Sequence, residues 1–129
     1  MREREAEVGA AIDAFFDCLA DRRLEDTLAA FTLRGDASLY GSEVSEIVIG
    51  HAALRRFFGQ IYARPHGPRF RLRDRRMSIR GDVAWFTAAA EVAFGEQVLA
   101  PYRVTGILEK REGRWLWALF NGSEPRPDR

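Results

Sequence analysis

A few polar residues interrupt stretches that would otherwise be apolar, and their types define the chemistry open to this chain. Arg103 stands between Tyr102 and Val104, and Asn121 follows the run "WLWALF". A guanidinium in such a place binds a carboxylate or phosphate through two parallel N–H donors. It can equally form a structural ion pair, with Glu91 or Glu46 as partner. An amide late on an apolar strand needs partners if it is buried, from a ligand, from cavity water or from the protein. Glu46 lies between Ser45 and Ile47, just before a predicted helix. It is a general base if burial raises its pKa, or a loop anchor if it accepts backbone N–H groups. Glu91 follows Ala88-Ala89-Ala90, whose small side chains leave room for a ligand or for another chain. Glu46 and Glu91 are therefore the candidate catalytic residues, because an amide such as Asn121 cannot serve as a base near neutral pH.

These groups are useful only if strands bring them together. In a regular strand Trp115, Trp117, Leu119, Asn121 and Ser123 share one face, with Leu116, Ala118 and Phe120 on the other. Both faces are apolar, so the strand is covered on both sides and its tryptophans serve as wall and core together. If Glu112-Gly113 belongs to a three-residue loop, Lys110 pairs with Arg114, and Arg103 lies opposite Asn121. A two-residue turn reverses these faces. On the first pairing Arg103 and Asn121 face one cavity, with Tyr40, Glu46 and Trp85 in its lining. Tyr102, Trp117 and Ser123 complete the candidate ligand-binding set.

The elements follow from periodicity. Val8, Ala11, Ile12, Phe15, Phe16 and Leu19 fall at helical spacing and predict a helix from about Glu5 to Asp21. Leu24, Leu28 and Phe31 give a shorter helical face. "DASLYGS" and "SEIVIG" read as short strands, and His51 to Ala63 as a third helix, broken by Pro65, Gly67 and Pro68. The period then changes to two. "RFRLRDRRMSIR", with an irregularity near Asp74, "DVAWFTAAAEVAF", "QVLAPYRVTGILEK" and "RWLWALFNGS" form an antiparallel meander, turned at Gly81-Asp82, Gly95-Glu96 and Glu112-Gly113. Helices first and strands later indicate an α+β domain with helices on one face of a curved sheet. It covers residues 1–125, and 126–129 form a polar tail.

The stretches "LYGSEVSEIVIG", "GDVAWF", "YRVTGIL" and "GRWLWALFNGS" resemble the nuclear-transport-factor-two-like superfamily, also called ketosteroid-isomerase-like or SnoaL-like. In the first, Glu46 and Gly50 resemble a Glu-x-x-x-Gly pattern ahead of a helix. The last resembles a Gly-x-Trp strand ending in His-x-Ser, found also in the association domain of calcium/calmodulin-dependent kinases; Asn121 stands at the His position and Ser123 matches. The resemblance implies a cone-shaped, cystatin-like α+β barrel, with a bent antiparallel sheet around the first helix and a cavity at its open end. It also implies a homodimer through the outer sheet face. The fold hosts isomerases, cyclases, hydrolases, dehydratases and non-catalytic modules. The isomerase pattern requires a tyrosine on the first helix, where this chain has Phe15 and Phe16; Tyr40 and Tyr102 offer donors from strands instead. The two aspartates that flank an arginine in an epoxide hydrolase have no counterpart here. The function expected is therefore binding of a small, largely apolar molecule, as a cyclase, isomerase or hydrolase, or as a non-catalytic dimerisation or ligand-binding module.

Composition removes other classes. The formal net charge of +1 argues against a dedicated nucleic-acid binder. Arg69, Arg71, Arg73 and Arg75 alternate to make one basic strand face, with only Phe70 for stacking and that on the other side; a solvated face, or one paired with acids across a dimer, explains it. Cys18, the one cysteine, cannot form an intrachain disulfide and reads as a small apolar filler. The N-terminal stretch "MREREAEVGAA" lacks a secretory h-region and no run is long enough to cross a membrane, so the expected location is cytoplasmic. His51 and His66 have no ligand-like neighbours, and no phosphate loop or nucleophile elbow occurs; neither metal nor cofactor is expected.

Overall fold

In a computed structural model, which describes residues 2–96 and 100–128, the first apolar stripe winds into one long helix, α1 (Arg2–Asp21). Val8, Ile12, Phe15 and Leu19 turn inward and are buried, as a 3.6-residue period requires. Glu3 and Glu5 occupy the first turn, where carboxylates offset the positive end of the helix dipole. The helix starts ahead of the predicted Glu5. Arginine and glutamate favour helix on their own, but an exposed turn carries no apolar signal. Then come α2 (Leu24–Ala29), β1 (Ser38–Tyr40), β2 (Ile47–Ile49) and α3 (His51–Tyr62). Four longer strands follow: β3 (Pro68–Arg80), β4 (Val83–Phe94), β5 (Ala100–Arg111) and β6 (Arg114–Ser123). Gln97 to Leu99, where the sequence pattern starts the third long strand, lie outside the described residues.

The strands form one sheet in the order β2-β1-β6-β5-β4-β3. All neighbours are antiparallel except β1 and β6, which run parallel with Leu39 beside Phe120 and Tyr40 beside Asn121. The short early strands thus extend the meander past β6, and β2 and β3 form the open edges. Two irregularities bend the sheet around α1. In β3 the register shifts between Arg73 and Arg76, with Asp74 at φ 53°. This is the irregularity expected near Asp74, and it corrects the basic face. Arg76, opposite Thr87, continues the row of Arg69, Arg71 and Arg73, while Arg75 pairs with Asp13 of α1.

The second irregularity decides which residues the interior receives. Ile107 lies opposite Leu119 but Leu108 lies opposite Trp117, which leaves Ala118 as an extra residue in β6. A bulge of this kind bends the strand and shifts the alternation by one. Trp115, Trp117, Phe120 and Gly122 are buried on the concave side, whereas Asn121 is only partly buried and Ser123 is exposed. The shared face expected for Trp117, Asn121 and Ser123 does not exist, because that expectation assumed an unbroken period of two.

The concave face packs on α1. Phe15 lies 5.5 Å from the Trp117 ring and 5.3 Å from Phe120, and it meets Phe31 at 5.6 Å. Gly106 gives Trp117 its place, since a Cβ there would collide with the indole ring. Phe16 and Phe31 are both buried core residues. Cys18 is buried too, and burial raises its thiol pKa, in keeping with a filler.

Candidate functional site

A cavity of about 230 Å³ opens between α1, α3 and the concave face of the sheet. Its walls are aromatic and aliphatic. Phe15 and Leu19 come from α1, Phe58 and Ile61 from α3, Phe70 from β3 and Phe120 from β6. The volume is below the usual 300–1,000 Å³ of drug-sized pockets, so it suits a molecule of about one or two rings.

Polar groups gather where the β1–β2 loop and the residue after β6 meet the cavity. Ser42, Glu43, Glu46, Tyr102 and Glu124 all belong to the lining. Tyr102 reaches inward from β5, its ring 5.4 Å from that of Phe70. The end of that ring lies over Gly122, where any Cβ would strike the hydroxyl. Burial pushes the Tyr102 pKa up, a nearby Ser42 hydroxyl opposes this, and the carboxylates of Glu46, Glu124 and Glu43 add smaller upward effects. The phenol is accordingly a neutral hydrogen-bond donor at physiological pH.

Glu46 shapes the loop beside it. Its Oε1 accepts the Glu43 backbone N–H at 3.0 Å. The Glu46 N–H donates to the Glu43 carbonyl at 2.9 Å, and the Gly41 N–H to the Glu46 carbonyl at 2.8 Å. The loop-anchor role is therefore filled by one carboxylate oxygen. Oε2 has no hydrogen-bond partner among the described residues. Ser42 Oγ donates to Glu124 Oε1 at 3.4 Å, which ties the loop to the end of the sheet.

Of the residues singled out in the sequence, the structure brings Glu46 and Tyr102 to this cavity. Trp117 lies in the core, 5.2 Å from the Phe120 ring, and is not in the lining. Tyr40, Trp85, Glu91, Arg103, Asn121 and Ser123 lie on the convex face. The cause is alternation. Val104 is fully buried and Tyr102 points inward, so Arg103 between them points out. Glu112-Gly113 is a two-residue turn that sets Arg111 opposite Arg114, and the extra Ala118 then moves the register on by one, so that Arg103 lies opposite Ser123 and Thr105 opposite Asn121. Arg103 and Asn121 do share a face, as expected, but it faces away from the cavity. Glu91 pairs with Arg71 at 3.8 Å, and Arg103 forms no ion pair among the described residues. Arg80 stacks on Trp85, its guanidinium 5.6 Å from the ring centroid.

Sequence reasoning missed Ser42, Glu43, Arg64 and Glu124. All four sit outside the helices and strands. The usable signal was "GSEVSE", a loop dense in carboxylates and hydroxyls between two apolar strands. His51 serves the fold by donating from Nε2 to the Thr32 carbonyl at 2.8 Å. Among the described residues no group of side chains has the makings of a metal site, and no helix is long and apolar enough to cross a membrane.

A sequence profile described as a SnoaL-like domain matches residues 8–126. No curated protein matches the chain in sequence. Solved structures show the same fold at low identity. A candidate dehydratase of the NTF2-like family from Streptomyces avermitilis superposes with a TM-score of 0.88 at 18% identity, over 98% of this chain and 100% of its own. An NTF2-like protein of unknown function from Pseudomonas putida gives 0.86 at 16%, over 98% and 90%. A ketosteroid isomerase-like protein from Erwinia carotovora atroseptica gives 0.77 at 19%, over 98% and 100%.

Proposed function

Because the chain belongs to the SnoaL-like domain family, we propose that it binds a small, largely apolar molecule in the concave cavity and transfers a proton at the cavity's polar end. The observation that carries this reading is the meeting of a neutral phenol, Tyr102, and a carboxylate, Glu46, at one end of an aromatic-walled space. Tyr102 donates a hydrogen bond to a ligand oxygen or other acceptor, and Oε2 of Glu46 takes the proton. Two of the similar folds carry names of proton-moving reactions, a dehydratase and an isomerase-like protein, which supports the reaction class and leaves the substrate open. A purely structural role would favour a cavity filled by the tryptophans; Trp115 and Trp117 lie outside its lining.

Calorimetric titration with the neutral probe 2-naphthylmethanol tests the binding. One site per chain is expected, abolished by Ile61→Trp, which fills the cavity. No saturable binding up to about 1 mM, the scale of about 4 kcal/mol, would contradict the reading.

A second inference concerns the convex face. Ile47, Ile49, Trp85 and Ile107 are large, apolar and 38–59% exposed on that side, joined by Leu119 between Ser38 and Ile107. Two copies packed through these faces would cover a patch that monomers rarely leave open. Sedimentation equilibrium should show a dimer at micromolar concentration, and Ile107→Glu should convert it to monomer.

A further inference from the structure

The charge of the cavity's polar end deepens the reading above, on which this inference rests. Among its described lining residues are the carboxylates Glu43, Glu46 and Glu124, against one cation, Arg64. Elsewhere many carboxylates take part in ion pairs, though others, such as Glu3, Asp17 and Glu112, have none among the described residues. Glu25 meets Arg55 at 2.6 Å, Glu109 meets Arg34 and Arg111 at 3.4 and 3.0 Å, and Glu91 meets Arg71 at 3.8 Å. Yet no ion pair reaches Glu43, Glu46 or Glu124 among the described residues, in a chain whose basic groups outnumber its acidic ones.

Two further features carry the same sign, independently of those carboxylates. Leu19 in the last turn of α1 and Ile61 in the last turn of α3 both line the cavity. Both helices therefore bring their carboxyl-terminal ends to it, where the macrodipole is negative and cations are favoured. The walls are also rich in aromatic rings, among them Phe58, Phe70 and Phe120, whose faces attract a cation. A carboxylate or phosphate placed here would meet like charge with only the exposed guanidinium of Arg64 to offset it.

We infer that the ligand is a small aromatic or aliphatic molecule bearing a protonated amine. The apolar body lies among the phenylalanines, and the ammonium is held at the polar end by Glu43, Glu46 and Glu124. Tyr102 remains the neutral donor beside it, available to an acceptor elsewhere on the ligand.

The test uses three probes with one ring system and three charges: 2-naphthylmethylammonium, 2-naphthylmethanol and 2-naphthoate, titrated calorimetrically at pH 7 into the full chain. The ammonium should bind about tenfold tighter than the alcohol, as a charge-assisted contact implies, and the naphthoate more weakly than the alcohol. Added salt should shrink the difference. Glu43 and Glu124 are exposed, so Glu43→Gln with Glu124→Gln leaves the fold intact. That pair should cut the ammonium's advantage to about threefold or less while the alcohol's Kd stays within about twofold. If the alcohol or the naphthoate binds as tightly as the ammonium, and Ile61→Trp still abolishes binding, the charge inference is overturned and the cavity reading stands. An ammonium advantage that survives both glutamine substitutions also overturns it, since the nitrogen then lies elsewhere. If none of the three binds, the cavity reading itself falls.

Discussion

The two faces of the sheet are built from the same strands and hold opposite chemistry. The concave face carries Phe86, Val104, Leu108 and Trp117, all buried, and turns to a hydroxyl and carboxylates only at the cavity. The convex face carries Arg103, Asn121, Glu91 and Tyr40 among exposed isoleucines and Trp85. By residue type the convex face looks the better place for recognition, with a guanidinium, an amide, a carboxylate and two aromatics within a few strands. By geometry it is an open surface, and the enclosed volume lies on the other side. Residue type nominates chemistry, but side-chain direction decides whether a ligand can be surrounded, and that direction depends on one extra residue in β6.

Inserting one alanine between Ile107 and Leu108, which would give Ala118 a partner and remove the bulge, is the most direct way to break the comparison and should have the largest effect. With the bulge gone, a period of two would carry Asn121 inward and Phe120 outward. Burying an amide without partners while exposing a core aromatic should cost about 4 kcal/mol or more, read as loss of the cooperative urea transition. Retention of near-wild-type stability would mean that the bulge does not set the faces.

Single substitutions sharpen the contrast. Trp117→Ala removes a fully buried ring packed on Phe15 and Phe120 and should cost about 3–5 kcal/mol. Arg103→Ala, on the exposed face, should change stability by no more than about 0.5 kcal/mol. Equal losses in urea melts would contradict the assignment of the two sides.

The helical layer behind the cavity adds a pH limit. Tyr62 donates to Thr27 Oγ1 at 2.7 Å, and Thr27 donates in turn to the Arg23 carbonyl at 2.7 Å. Burial pushes the Tyr62 pKa up to about 12, whereas in the unfolded chain it is about 10. The folded form holds the proton longer, so the stabilisation is complete below pH about 10 and is lost as pH rises toward about 12. In Tyr62→Phe the fall in stability across that window should be smaller, measured against a lower starting value because the hydrogen bond is gone.

Much of the architecture was legible because its signals are local. The stripe from Val8 to Leu19, the break at Pro65 to Pro68 and the turns at Gly81-Asp82 and Glu112-Gly113 each act within a few residues. The parallel pairing of β1 with β6 was not legible, since it joins segments about eighty positions apart. The bulge at Ala118 was hidden for another reason. "WLWALF" is apolar at every position, so a shift in alternation leaves no trace in its pattern. The irregularity at Asp74 was visible because a polar residue breaks the alternation there. Of the site, Glu46 and Tyr102 were recognisable by type, while Glu43 and Glu124 became meaningful only once the parallel pairing of β1 with β6 brought the β1–β2 loop beside the residue after β6.

The central claim is that the ligand's polar end lies on the concave side, at Tyr102, and away from the convex pair Arg103 and Asn121. The measurement that tests it most directly is the affinity of 2-naphthylmethanol for Tyr102→Phe and Asn121→Ala, each titrated beside the parent chain. Loss of the Tyr102 hydroxyl should weaken binding by about fivefold, the worth of one hydrogen bond of about 1 kcal/mol, and Asn121→Ala should leave it within about twofold. The opposite result, with Asn121→Ala impaired and Tyr102→Phe unchanged, would place recognition on the convex face and contradict the account.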